Sequence, residues 1–388
     1  MKKVLLILIL ILTFSTQVKA EAATNITANL TQNSSDTAKI DQLYQYITNI
    51  KTKYELLNEV DAKTYVNDYL KTGDSKISVK KVANALITYM FRELGASMNI
   101  LASIVLIAII CSLLTNLQRA FTNEGLSNIA YFACYSILII ILAKCFYIGV
   151  DAARSTISEM TNFMNALMPI LIMLLASVGG IAQAATLDPI IIGTITLSAN
   201  IFMNFIIPII CLAFVLQFVN NMSEEYKIDK LTSLLNQIVI WSQGLIMTLF
   251  IGIVTVRGIT STTIDQVTAR TAKFAVDTFV PVVGKSLSDA VSTVAGYSLL
   301  LKNSISSLGL VIIVVIMLFP VIKLLIMALM FKLTAALIEP VSDSRLVNCI
   351  SSAGGSMILI TSCLICVSVM FFIIIAIIAS AGKIALGG

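Results

Sequence analysis

Residues able to do chemistry are sparse in this chain, and none of them is histidine. The commonest general base and the usual imidazole metal ligand are therefore missing. Seven cysteines remain, at 111, 134, 145, 211, 349, 363 and 366. The pair Cys363-x-x-Cys366 lies in a continuous apolar run, which offers neither thiolate stabilisation nor further ligands, so a packing role is preferred to a redox or metal motif. Phosphate-cradling loops, dinucleotide fingerprints, paired catalytic carboxylates and nucleophile motifs do not occur. No catalytic, cofactor or metal site is expected, and the chain reads as non-enzymatic.

What polar chemistry there is stands inside apolar runs. Lys144 and Lys323 each interrupt one. A Lys at mid-span costs roughly 2.5–3.5 kcal/mol on insertion scales, against about 0.5 kcal/mol gained per Leu or Ile, so the runs tolerate it. Lys144 is near the end of its run and is placed to snorkel toward headgroups. Lys323, close to Pro320 and near mid-run, either faces a path or partner helix or snorkels as well. Asn200, Asn204 and Pro208 recur at four-residue spacing and share a helix face. Such amides hydrogen-bond a neighbouring helix or line a polar path. Asp188-Pro189, preceded by Ala184-Ala185, lines up with Glu339-Pro340 preceded by Ala335-Ala336. The offset is the one that carries Pro169 to Pro320, the trace of a weak internal repeat. Lys323, Asn200, Asn204 and Asp188 are the candidate path or helix-interface residues.

The elements positioning these residues follow from composition. Apolar residues make up 58% of the chain, charged residues 12%, and the mean hydropathy is +0.94. Soluble domains carry about a quarter charged residues, so this is a polytopic membrane protein. A net charge of +5 without a basic stripe excludes nucleic acid as a partner and leaves the lipid bilayer.

Lys2-Lys3, the apolar run from Val4 to Phe14 and Val18-Lys19-Ala20 read as a signal peptide cleaved after Ala20; the run is shorter than the roughly 20 residues of a span. Residues 21–95 read as a small extracytoplasmic helical region. After a polar leader come helices marked by Ile40, Leu43, Tyr44 and Ile47, by Tyr65, Val66, Tyr69 and Leu70, and from Ser78 onward. About seven spans follow: Met98–Leu117, Asn128–Val150, Met160–Val178, Pro189–Val219, Leu234–Val256, Ser306–Phe331 and Met357–Ser380. The fourth is long and interrupted by Pro208, which suggests a broken helix or a crossing plus a half-span.

Between the fifth and sixth spans, residues 257–303 are two-sided. Gln266, Arg270, Lys273 and Asp277 fall opposite Ile264, Val267, Phe274 and Phe279 on a helical projection. Pro281 cannot continue that helix, Gly284 loosens the turn, and Ser286 with Asp289 forms a capping box for a second helix, Leu287 to Leu301. The hairpin is expected to lie on the membrane surface or to be re-entrant. Arg270, Lys273, Phe274, Pro281 and Gly284 are its candidate partner or membrane-surface contacts. The expected fold is all-α, with the hairpin dividing a membrane block at 96–256 from one at 304–388. An odd number of spans puts the hairpin on the side opposite the N-terminal region.

Several segments here resemble the stage III sporulation protein AE family of endospore-forming bacteria. They are Val256-Arg257-Gly258-Ile259-Thr260, Arg270-Thr271-Ala272-Lys273-Phe274, Phe279-Val280-Pro281-Val282-Val283-Gly284, Ser288-Asp289-Ala290 and Leu299-Leu300-Leu301-Lys302-Asn303. The resemblance extends from Phe91-Arg92-Glu93-Leu94 through Ala336-Leu337-Ile338-Glu339-Pro340. It brings no catalytic motif. It implies a multi-pass subunit of the channel complex joining mother cell and forespore, in the mother-cell membrane. The partners it implies are the other membrane subunits of that complex, with homo-oligomerisation left open. Composition and the repeat suggest a different class, a secondary transporter for a small solute.

Overall fold

The computed structural model describes residues 40–50, 62–72, 79–120, 124–178, 180–222, 228–279 and 284–381. The chain divides into two units, residues 1–50 and residues 51–388. In the first, residues 40–50 form helix α1, over the stretch where Ile40, Leu43, Tyr44 and Ile47 set the helical period. The signal-peptide reading and Pro281 lie outside the described residues.

Among its described residues the second unit consists of helices joined by short turns, with no strand. In order come α2 (Ala62–Thr72), α3 (Val79–Ala120), α4 (Glu124–Ser177), α5 (Ile181–Ile201), a π turn (Phe202–Ile206), α6 (Ile207–Met222), α7 (Asp229–Phe279), α8 (Gly284–Ile338) and α9 (Ser344–Ser380). Inside a bilayer no water can answer a backbone N–H or C=O, so a helix, which pairs them internally, is the structure such sequences take. Six of these stretches are long and apolar enough to cross a membrane, with α5, the π turn and α6 counting as one.

The expected second and third spans are thus one helix, the 54-residue α4. Asp151, Arg154, Ser155 and Glu159 looked like a loop. Yet Val150, Ala153, Ile157, Met160 and Met164 are all buried, so the helical period runs unbroken beneath an outward polar face. Neither Gly nor Pro stands between them to stop the helix. The break expected at Pro281 and Gly284 does fall between two helices, but each partner is longer than anticipated. α7 runs 51 residues from the fifth span through the amphipathic segment, and α8 runs 55 residues, past the expected end at Leu301. The third N-terminal helix and the first span are likewise one 42-residue helix.

The even count changes which ends meet. Tyr65 on α2 hydrogen-bonds Ser307 on α8 across 2.9 Å, and Lys302 on α8 reaches the C-terminus of α9. At the other end Ser342 donates to the Ala108 carbonyl at 3.3 Å, and Tyr135 to that of Phe218 at 3.2 Å. The start of α8 therefore lies at the same end as α2, not opposite it. Pro169 and Pro320 each sit in the second helix of a triplet, α3–α4–α5/α6 and α7–α8–α9. The packing does not repeat in the same way: α3 rests on α8 and α4, while α7 rests mainly on α5, α6 and α9.

α8 is the hub, packed on α9, α4, α3 and α2. Close approach is made by small residues, as helices in lipid require, since lipid supplies no hydrophobic drive for helix association. A Cβ on Gly354 of α9 would lie 3.2 Å from the Ala328 carbonyl oxygen and 3.3 Å from Phe331 Cβ, whereas one on Gly355 meets nothing within 4 Å. Gly354→Leu is expected to cost about 1–3 kcal/mol by overpacking against backbone. Gly355→Leu should be near neutral, and thermal midpoints in detergent compare the two.

Candidate functional site: polar contacts inside the helical bundle

The most enclosed charge in the bundle is Lys302, with no exposed surface. The last turn of any helix leaves carbonyls without partners and carries partial negative charge. α9 ends at Ser380, after which Ala381 is extended. The Lys302 ammonium donates to Ile378 O at 3.1 Å, to Ala379 O at 3.2 Å and to Ala381 O. All three of its protons are used. The neighbouring Asn303 Oδ1, Ser304 Oγ and Ser306 Oγ are buried without a hydrogen-bond partner.

A second set of contacts fixes α9 along its length. Lys332 on α8 donates to Ser351 Oγ at 2.9 Å, and Ser356 Oγ donates to Gln217 Oε1 of α6 at 3.2 Å. Gln243 of α7 accepts from Ser362 Oγ at 2.8 Å, and its Nε2 approaches Cys363 Sγ at 3.0 Å. Cys363 and Cys366 are free thiols against that amide. Polar contacts of this kind between membrane helices contribute about 0.6–2 kcal/mol each. Among the described residues no three His, Cys, Asp or Glu side chains gather as a metal site.

The third feature is the π turn. Pro208 has no N–H to give the carbonyl four residues earlier, and its ring crowds that carbonyl, so the chain widens by one residue over Phe202–Ile206 and continues as α6. The long fourth span is therefore one crossing with a local widening. Arg154 on α4 donates from Nη2 to the Met203 carbonyl in that turn at 3.3 Å. Asn200 lies in α5 just before the turn and Asn204 within it, both exposed.

Lys323 is half-buried on α8, beside Leu324, while the two asparagines face outward on another part of the bundle. Their helices share α4 as a neighbour, but Asn200 and Asn204 are exposed where Lys323 is half-buried. The structure does not gather the three into one enclosed site. Asp188 is in α5, Arg270, Lys273 and Phe274 are in the upper part of α7, and Gly284 opens α8; their side chains lie outside the described residues.

Sequence reasoning missed Lys302, Gln217, Gln243 and the Arg154 contact. For the two glutamines the signal was available, a lone amide in an apolar run, as for Asn200. Lys302→Met is expected to cost at least about 3 kcal/mol, because charge-assisted bonds contribute about 1.5–3 kcal/mol each and three acceptors are stranded. Thermal unfolding should show it, with faster amide exchange at residues 377–381; Lys302→Arg should recover part.

Residues 60–382 match the protein family described as Stage III sporulation protein AE. Among curated proteins, Stage III sporulation protein AE of Bacillus subtilis (strain 168) is 34% identical over 355 residues, covering 92% of this chain and 89% of that protein. No solved structure matches.

Proposed function

This chain belongs to the stage III sporulation protein AE family, and from that premise we propose that it is a non-enzymatic membrane subunit of the complex joining mother cell and forespore. A role in sporulation and a multi-pass membrane protein with six candidate spans are the firm part of this reading. The observation that carries the rest is the length of α7 and α8. At 51 and 55 residues each is about 80 Å long, against roughly 40–45 Å for a bilayer with its headgroups. Residues 256–279 of α7 and 284–294 of α8 lie outside the candidate spans Asp229–Thr255 and Ala295–Ile338, so about 36 Å of α7 and about 16 Å of α8 extend past them, at the end of the bundle where α2 also lies. We assign that end to the space between the two membranes and the protein to the mother-cell membrane. Arg270, Lys273, Phe274 and Gly284 then belong to the part of these helices that meets other subunits, not to a layer on the cytoplasmic surface.

A secondary transporter is the second reading, favoured by the order of two helix triplets, the second inverted by three crossings. Against it stands the dense α4–α8 contact, where a Cβ on Gly309 would come 2.6 Å from Leu167 Cδ2.

Two experiments test the proposal. Alkaline phosphatase fused near Gly73 and near Gly284 should be active at both sites, and a fusion at Glu225 inactive; activity at Gly73 and Glu225 with none at Gly284 would restore an odd number of spans. Affinity isolation from sporulating cells should recover other membrane subunits. Reversing charge with Arg270→Glu and Lys273→Glu should lower that recovery about tenfold, the equivalent of 1.4 kcal/mol, without changing the chain's abundance. Isolation of the chain alone would reject the complex.

A further inference from the structure

At one level of the bundle two outer faces differ in chemistry, and α9 is the ruler that shows it. Gly149 of α4 lies against Met357 of α9, Met160 Sδ accepts from Ser368 Oγ at 3.4 Å, and Leu167 and Ile375 both lie beside Gly309. The steps between these contacts are equal on the two helices, so α4 and α9 climb side by side without slipping. On the same stretch of α9, Ser362 and Cys363 meet Gln243 of α7. Gln243 is therefore level with Arg154 and Ser155 of α4.

That level is mid-membrane. Gln243 stands near the centre of the candidate span Asp229–Thr255, about 20 Å from either end. Met203, whose carbonyl accepts from Arg154, is in the middle third of the candidate span Ile191–Asn221. Here the outer face of α7 suits lipid: Ile240, Trp241, Leu245, Leu249 and Ile253 are exposed, Trp241 to 78%. Level with that run, α4 exposes Asp151, Arg154, Ser155, Ser158, Asn162 and Asn165 on one side of the helix. No exposed residue from Asp151 to Asn165 is apolar. Arg154 joins this line to the π turn, where Asn204 and, one turn earlier, Asn200 are exposed too.

We propose that this face of α4 and the π turn is wetted within the membrane and forms one wall of a water-filled path. The face is on the outside of the chain's own bundle, so the facing wall belongs to another subunit. Lipid does not suit it, since hydrocarbon answers none of these hydroxyls and amides and neither charge. Arg154 stands too deep to reach headgroups, because its side chain covers well under half of the roughly 20 Å to a span end. A docked membrane helix is met by small or apolar residues with an occasional polar one. Here every exposed position is hydrophilic, which is the lining that water requires.

The inference rests on the reading of this chain as a subunit of a membrane complex, and adds which of its faces is turned to water. The test uses opened membranes of sporulating cells, where a charged thiol reagent reaches both sides. Ser158→Cys, Asn162→Cys and Asn200→Cys are made singly in the full chain without its native cysteines, and Leu245→Cys and Leu249→Cys, level with them on α7, supply the comparison. The three polar-face cysteines should react at least about tenfold faster than the two on α7, because the reactive thiolate forms in water. Equally slow reaction at all five overturns the proposal, since lipid or a packed helix then covers α4. Equally fast reaction overturns it too, by placing this level outside the bilayer. The unsubstituted chain carries its own reporter, which serves if a cysteine variant fails to fold. A water-soluble carbodiimide with an amine should convert the Asp151 carboxylate to an amide in the same membranes, and an unmodified Asp151 rejects the wall. Affinity isolation from the same cells separates the two failures. Other subunits recovered with slow labelling reject this face only, and the chain recovered alone rejects the complex and the facing wall with it.

Discussion

A buried ammonium persists only where acceptors surround it, and the fold is built around one place that meets this condition. Lys302 is enclosed on α8 and meets the carbonyls that end α9. Each group cancels the other's penalty: the helix end lacks donors and carries negative charge, and the lysine lacks water. The contact ties the hub helix to the last helix near the end of the bundle where Tyr65 of α2 also docks. From there α9 descends along α8, held by the serines that meet Lys332, Gln217 and Gln243.

The same rule governs the breaks. Where Pro208 removes a donor, the chain widens into a π turn, and a carbonyl there accepts from Arg154 of the next helix. Pro169 and Pro320, by contrast, are absorbed inside α4 and α8 without ending either. At Pro208 a neighbouring helix answers the backbone, one of the ways long membrane helices tolerate proline.

Much of this was legible in the residues. Composition alone dictated helices across a membrane, and the expected break after Phe279 falls between α7 and α8. The continuity of α4 was not read, because Asp151, Arg154 and Glu159 were weighed by charge and not by position. The buried residues from Val150 to Met164 keep a strict helical spacing, and that spacing, not polarity, decides whether a helix continues. Lys302 could not have been found this way. It follows three leucines at the edge of an apolar run, and only the packing of α9 and its other neighbours around α8 makes it internal. Lys323, singled out for its mid-run charge, is half-buried and shares no enclosed site with Asn200 or Asn204.

Joining two spans into one has a consequence far from α4. Each crossing reverses the side of everything after it, so six crossings bring the α7–α8 projection to the end that holds α2, where seven would have set it opposite. The turn at 339–343 then lies at the opposite end of the bundle, where Ser342 meets the Ala108 carbonyl of α3.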